Sequence, residues 1–314
     1  MELVRGLHNL RAEHRGCAVT IGNFDGVHLG HRATLERLFM HARQIGLPAT
    51  VVTFEPAPRE FLSPASAPAR LTRLREKLVL LKRAQVDRCV VLHFNSRLQH
   101  VRGSEFVSAL LRGRLDARRV VVGHDFRFGF RGEADVEMLR AAAVTREFEV
   151  DVVEPLLLAG ERVSSSAVRE ALAGGDLERA ARLLGWRYSM QGRVMEGEKL
   201  GRKLGFPTAN IRLHRRVAPL GGIFAVRVFG AGEQPMPGVA SIGTRPTVNG
   251  TEPLLEAHLF DFDGDLYWRH LEVEFVEKIR EERKFASLEA MVVQMHDDAR
   301  RARDILDARS SPRG

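Results

Sequence analysis

The sequence predicts an α/β half followed by an all-β half, and three observations carry that reading. Up to Gly185 short β-branched runs alternate with longer helical stretches. From Trp186 the chain changes to short strands separated by Gly and Pro, and one long amphipathic stretch closes it. Strand and helix in alternation build a parallel sheet with crossover helices, whereas short strands with turn signals build a small antiparallel barrel or sandwich. Domains of 1–185 and 186–314 follow. The 314 residues, 44% of them hydrophobic, supply enough apolar material for two cores and exclude wholesale disorder.

In chain order, CAVTIG reads as a strand, about His31 to Gln44 as a helix, ATVVTF as a strand, Leu71 to Gln85 as a helix and CVVLHF as a strand. RRVVVG, the helical EADVEMLRAAAVT and EVDVVEPLLL extend the alternation to about residue 158. A helix is expected after Ser164-Ser165-Ser166, because serine caps helix starts and AVREAL continues in register. DLERAARLL is a second helix ending at Gly185. YSMQGRVME, FPTANIRL, GGIFAVRVF, PGVASIGT, LLEAHLFDF and HLEVEFVEKI are the six strands of the second half. SLEAMVVQMHDDARRARDILDA repeats apolar residues at three and four, the mark of an amphipathic helix, before a frayed SSPRG tail.

Charge is less informative. Lys+Arg 48 against Asp+Glu 40 gives +8, but lysine occurs only at 77, 82, 199, 203, 278 and 284, and the arginines are spread among acids. No basic cluster marks a nucleic-acid partner, and none is expected. Cys17 and Cys89 have no metal or disulfide spacing, which fits a reducing, cytoplasmic setting. No apolar run approaches the ~18 residues of a membrane helix, so no membrane partner is expected either. Nothing in the sequence bears on oligomeric state.

Chemistry enters at the first strand. CAVTIG runs into Gly22, Asn23, Phe24, Asp25, Gly26, Val27, His28, Leu29, Gly30 and His31, a glycine-rich turn that opens a helix. Backbone N–H groups and the helix dipole make such a turn an anion site. His28 and His31, in HxGH spacing, can both reach a triphosphate there, as nucleotidyl transfer requires. Ser164, Ser165, Ser166 and Arg169 form a second candidate phosphate clamp at a helix start. Gly123-His124-Asp125-Phe126-Arg127-Phe128-Gly129 follows RRVVVG, at the carboxyl edge where α/β sheets bind ligands. In the second half, GEKLGRKLG, with Gly201 and Lys203, reads as a basic glycine-rich flap. In PTAN, Thr208 and Asn210 offer oxygens suited to a hard cation such as Mg²⁺. Glu256 stands on an alternating strand and is the type of residue a kinase uses to accept a hydroxyl proton.

TIGNFDGVHLGHR, VTFEPAPREF, RLTRLREK, VVGHDFRFG and VSSSAVREAL, in that order, resemble the adenylyltransferase half of the prokaryotic bifunctional riboflavin kinase/FAD synthetase family. GRKLGFPTAN, GGIFAVRV, GVASIGTRPTV, LEAHLFDFDGDLY and VEFVEKIREERKFASLEA resemble its riboflavin kinase half. The resemblance implies a Rossmann-like nucleotidyltransferase domain, then a six-stranded antiparallel Greek-key β-barrel with a C-terminal helix. It implies riboflavin, FMN and ATP as substrates and Mg²⁺ as cofactor. His28 and His31 would serve adenylyl transfer and Glu256 would be the kinase base, with Thr208 and Asn210 serving Mg²⁺ and ATP. Flavin contacts are expected from Asp125, Phe126 and Phe128 in one half and from Arg280 and Phe285 in the other. The chain departs from the family pattern at Ala57 after FEP, Ser166, Glu196 before the flap, Ser241 before IGT, Trp268 after Leu-Tyr, and locally in FGFRGEAD. Two rivals are another HxGH nucleotidyltransferase, such as an aminoacyl-tRNA synthetase, and a lapsed, non-catalytic flavin- or RNA-binding relative. The first lacks a KMSKS-like stretch and leaves the barrel half unused; retention of His28, His31, Thr208, Asn210 and Glu256 argues against the second.

Overall fold

The computed structural model describes all residues except 147, 198–200, 202–203, 248–249 and 310–314. Its residues fall into two compact units, 1–68 with 72–164, and 69–71 with 165–314.

The first unit is built on a six-stranded sheet, β1 (Glu2–Arg5), β2 (Cys17–Ile21), β3 (Ala49–Glu55), β4 (Arg88–His93), β5 (Ala117–Gly123) and β6 (Glu149–Val153). The strand order is β1-β4-β3-β2-β5-β6 and every pairing is parallel. Strands buried on both faces explain the unbroken apolar runs of β2, β4 and β5. Helix α1 (Leu29–Ile45) packs Leu35, Leu38 and Ala42 on one face of the sheet with α3 (Leu74–Arg83); α2 (Pro58–Leu62) is a short turn between them. The opposite face is covered by α6 (Val136–Arg146) and a π-helical stretch, Phe106–Arg114, entered through two short turns, α4 (Ser96–Gln99) and α5 (Gly103–Glu105). Sequence order reverses between β2 and β5, so the loops after these strands flank the topological switch point, where open α/β sheets bind ligands. Cys17 and Cys89 are buried, free thiols that desolvation pushes up to about 11 and about 12, so neither is a nucleophile.

The second unit holds α7 (Ser165–Ala173), α8 (Leu177–Leu184) and a closed barrel of β9 (Ser189–Met195), β10 (Ala209–Arg212), β11 (Gly222–Phe229), β12 (Met236–Thr247), β13 (Gly250–Leu259) and β14 (His270–Arg280); β7 (Leu157–Leu158) and β8 (Glu161–Arg162) form a hairpin in the first unit. The barrel order β10-β13-β12-β11-β14-β9 places β14 beside β11 after three consecutive hairpin strands, which is a Greek key. Helix α9 (Leu288–Ala308), capped by the Ser287 hydroxyl, lays Ala302 and Leu306 on Ala225, Phe260, Val276 and Ile279.

The fold class is as the sequence predicts, with local differences. Helix α1 starts at Leu29, so His28 is its cap and His31 lies in its first turn. EVDVVEPLLL is two strands because Pro155 interrupts it, and in FPTANIRL only Ala209–Arg212 joins the ladder. The compact units divide at Ser164/Ser165, ahead of Gly185: α7 and α8 belong with the barrel, and Leu177, Ala180, Leu183 and Leu184 of α8 form one buried apolar stripe. Residues 69–71 join them, with the Leu71 carbonyl accepting from the Tyr188 hydroxyl (2.9 Å) and the Arg215 guanidinium (3.1 Å).

Candidate active sites

The first site begins where β2 ends. The turn after Ile21 is contorted: Gly26 has φ 83°, and Phe24 and Val27 adopt left-handed φ of 47° and 41°. Such strain persists only where surroundings over-determine it. Here Asp25 Oδ1 accepts from the Thr72 backbone N–H (2.9 Å) and hydroxyl (3.2 Å), and the Gly26 N–H donates to the Thr72 hydroxyl (2.9 Å). Asp25 therefore serves as the anchor of the turn. On the other side, the buried Lys77 amine donates to Thr53 Oγ1 (3.3 Å), and that hydroxyl donates to the Asn23 carbonyl (3.3 Å). Sequence reasoning passed over Lys77, although it stands in the RLTRLREK motif.

His28 caps α1: its Nδ1 accepts from the His31 backbone N–H at 3.2 Å. A neutral His28 ring consequently carries its proton on Nε2, leaving that atom as a donor. The His28 and His31 rings stack with centroids 3.7 Å apart, and Phe24 lies 5.0 Å from His31. A Cβ on Gly30 would sit 3.2 Å from the His28 ring and 3.3 Å from the Val163 carbonyl, so the glycine of HxGH is what lets the rings stack over the helix start. Burial, then the neighbouring His28, then the Lys77 cation hold His31 well below the usual histidine range; it is neutral at pH 7.

Beside the turn lies an apolar cavity of about 430 Å³, lined by Gly22 and Asn23 and by Phe54, Phe94, Phe106, Phe126 and Phe128. Phe126 and Phe128 stack at 5.3 Å, and Phe106 packs on Phe128 at 5.5 Å. A slot of phenylalanine faces suits a flat aromatic ring system. Of the three flavin contacts expected in this half, Phe126 and Phe128 line the cavity. Asp125 does not: its carboxylate is paired with Arg162 at 2.6 Å on the surface. Phe54, Phe94 and Phe106 were not anticipated. The departure at Ala57 leaves a backbone N–H that donates to the Glu60 carboxylate (3.2 Å). Ser164 falls in the first unit; Ser165 and Ser166 open α7 in the second, where Arg169 Nε donates to the Ala69 carbonyl (2.6 Å).

The second site is on the barrel wall. Asn210 of β10 and Ser241 of β12 are the direct partners of Glu256 on β13 from either side. Three half-buried polar side chains thus stand abreast on one face of the sheet. Two cavities open here. One, of about 300 Å³, is bounded by Thr208, Ser241, Glu256, Arg280, Phe285 and Met291. The other, of about 420 Å³, is bounded by Gly197, Thr208, Asn210, Asp263, Asp265 and Tyr267. Thr208 is the one described residue lining both. Arg280 and Phe285 line the first cavity, with the guanidinium 5.7 Å from the Phe285 ring. Arg280 is also a bidentate partner of the buried Asp298 on α9, which ties β14 to that helix. Burial pushes Glu282, on the same cavity, above the usual carboxylate range. Gly201 borders the first cavity and accepts from the Phe206 N–H (2.8 Å), whereas Lys203 lies outside the described residues.

The remaining departures find a place. Glu196 is exposed. Trp268 is 54% exposed, lines neither cavity, and has φ 66°, a conformation that favours glycine. Releasing that strain is worth about 1–2 kcal/mol, less the larger chain entropy of glycine. Trp268→Gly is expected to raise the thermal midpoint by about 2 °C with riboflavin phosphorylation unchanged; a lower midpoint in thermal unfolding would show that the indole contributes more than the strain costs.

Comparison with known proteins addresses both halves. Residues 10–167 match the family model described as FAD synthetase, and residues 184–306 the one described as riboflavin kinase. A bifunctional riboflavin kinase/FMN adenylyltransferase of Pseudomonas fluorescens is 50% identical over 304 residues, 96% of this chain and 97% of that one. The Escherichia coli K12 protein of the same name is 47% identical over 305 residues, 97% of each. A crystal structure from Streptococcus pneumoniae, described as a macrolide-efflux protein, superimposes with a TM-score of 0.82 at 28% identity over 96% of this chain and 99% of that one. No described helix here is long and apolar enough to cross a membrane.

Proposed function

This chain belongs to the bifunctional riboflavin kinase/FMN adenylyltransferase family, and on that premise we propose which residues perform each of its two reactions. The enzyme phosphorylates riboflavin to FMN with ATP and then joins FMN to the adenylyl group of a second ATP, giving FAD and pyrophosphate. The observation that carries the assignment is the meeting of two cavities at Thr208, with Glu256 on one and Asn210 on the other.

For phosphorylation, the aromatic and aliphatic cavity between Phe285, Met291 and the barrel takes the flavin, and the more polar one beside Gly197 takes the nucleotide. The ribityl terminal hydroxyl then lies near Glu256, whose carboxylate accepts its proton as the oxygen attacks the γ-phosphorus. Ser241, opposite Glu256, offers a hydroxyl to hold that carboxylate or the substrate. The donor set fits Mg²⁺. The Thr208 hydroxyl and the Asn210 amide oxygen are hard ligands, and Mg²⁺ commonly takes only one or two protein groups beside phosphates and water. A Cβ at Gly197 would collide with the Asn210 amide, so this glycine keeps the backbone clear where a metal–phosphate complex must approach. Bound there, Mg²⁺ would neutralise charge on the phosphates.

For adenylyl transfer, the phenylalanine slot takes the isoalloxazine and the glycine-rich turn takes the phosphates. An FMN phosphate oxygen attacks the α-phosphorus, and the bond to the β-phosphate breaks. His28 Nε2–H is placed to donate to oxygens that gain charge, and the α1 N-terminus adds its dipole. Ser165, Ser166 and Arg169 are assigned to phosphate binding by their motif alone. The division of labour is tested by incubating the purified protein with riboflavin, ATP and Mg²⁺, and separately with FMN, and resolving the flavins. FMN and then FAD are expected from riboflavin, and FAD from FMN; failure to form either removes the corresponding assignment.

A further inference from the structure

The residue that positions Thr208 is not on the segment that carries it. Thr208 precedes β10, whose pairing with β13 begins only at Ala209↔Ala257, so the ladder does not hold it. Pro207 has no N–H to give, and its exposed carbonyl has one described partner, His258 Nδ1 at 2.9 Å. A carbonyl only accepts, so Nδ1 carries a proton and donates. His258 stands two residues after Glu256, on the same face of β13. Its ring is wedged between Phe206, at 5.1 Å, and Phe260, at 5.8 Å, and His296 of α9 closes on Phe206 at 4.7 Å. One strand therefore carries Glu256 and also the group that fixes how far Thr208 stands from it.

We propose that His258 is a positioning residue of the phosphorylation step, holding the Pro207–Thr208 arm in register with Glu256 through its Nδ1–H. This rests on the roles given above to Thr208 and Glu256. A side-chain amide places its nitrogen near Nδ1 in asparagine and near Nε2 in glutamine, so the two variants separate a hydrogen bond from mere bulk.

The test uses full-length His258→Asn, His258→Gln and His258→Ala. Each is assayed for FMN formation over a Mg²⁺ titration, for FAD formation from supplied FMN, and for thermal midpoint, with Glu256→Gln alongside. Misplacing a reacting arm by an ångström costs up to about a hundredfold. The expected result is a kcat for phosphorylation about ten- to a hundredfold lower, with a raised Mg²⁺ requirement, in the Ala and Gln variants. His258→Asn should stay within about threefold of the parent, and FAD formation from FMN should be unchanged in all three variants. Equal impairment of Asn and Gln, or parental kcat in both, overturns the proposal even if Ala fails to fold. If Glu256→Gln abolishes phosphorylation while the His258 variants do not, the positioning role alone fails; if Glu256→Gln is fully active, the reading beneath it fails.

Discussion

FAD formation from supplied FMN should fall at least about a hundredfold in His28→Ala, with riboflavin phosphorylation at its parental rate. His28 Nδ1 accepts from the His31 N–H, so on the neutral ring Nε2 carries the proton that would be given to a phosphate oxygen, and alanine removes it. Losing one such donor at a site of developing charge typically costs about a hundred- to a thousandfold. The same change also strips the cap from α1, worth about 1 kcal/mol, so a weakened helix could mimic a catalytic loss. His28→Asn separates the two, since asparagine is a good cap without an imidazole. It should keep the parental thermal midpoint and show the same loss of FAD. Equal loss of both products in a folded variant would sink the two-site assignment. His31→Ala should lose FAD formation too, and it makes a further prediction about pH. The folded His31 binds a proton less readily than the unfolded one, so the parent loses stability as pH falls below about 6.5. His31→Ala lacks that component. Its thermal midpoint should drop less than the parent's between pH 7.5 and 5.5, and an identical drop would show that His31 does not carry the penalty.

Both proposed reacting centres rest on short, local patterns of the sequence. A strand, a glycine turn and a helix start are contiguous, and the alternation of LLEAHLFDF already places Glu256 away from the barrel interior. Features that depend on chain crossings were not legible in this way. The phenylalanine slot adds to Phe126 and Phe128, which follow β5, Phe54 of β3 and Phe94 and Phe106 from the connection between β4 and β5, each of which alone reads as ordinary core. Strand β1 is only four residues, two of them charged, and gains its structure from parallel pairing with β4 at the sheet edge. The compact units divide earlier in the chain than the change from alternating to all-β pattern at Gly185. The apolar stripe of α8 shows that the helix covers something, and periodicity does not say which sheet it covers. Lys77 and His258 escaped notice because the contact of each runs through another group, Thr53 and Pro207 respectively, which spacing in the sequence does not show.

The converse of the histidine result is expected on the barrel. Glu256→Gln keeps the size and hydrogen-bonding reach of the side chain, and its cross-strand neighbours Asn210 and Ser241 remain in place. What it loses is the capacity to accept a proton, so FMN formation should drop by about a hundredfold or more, at the low end of the range for lost general-base help combined with lost orientation. FAD formation from supplied FMN should be nearly unchanged, because that reaction is assigned to the histidine pair of the other unit. Thr208→Ala should damage the same step differently. It removes the hydroxyl of a residue that lines both cavities, so its defect should shrink as Mg²⁺ and ATP are raised, whereas that of Glu256→Gln should persist at saturation. The measurement is kcat and KM for riboflavin and ATP at several Mg²⁺ concentrations, with products resolved. Parental phosphorylation by Glu256→Gln would return this residue to an ordinary strand carboxylate. Glu282, whose carboxyl desolvation pushes up on the wall of the cavity proposed for the flavin, would then be the next base to test.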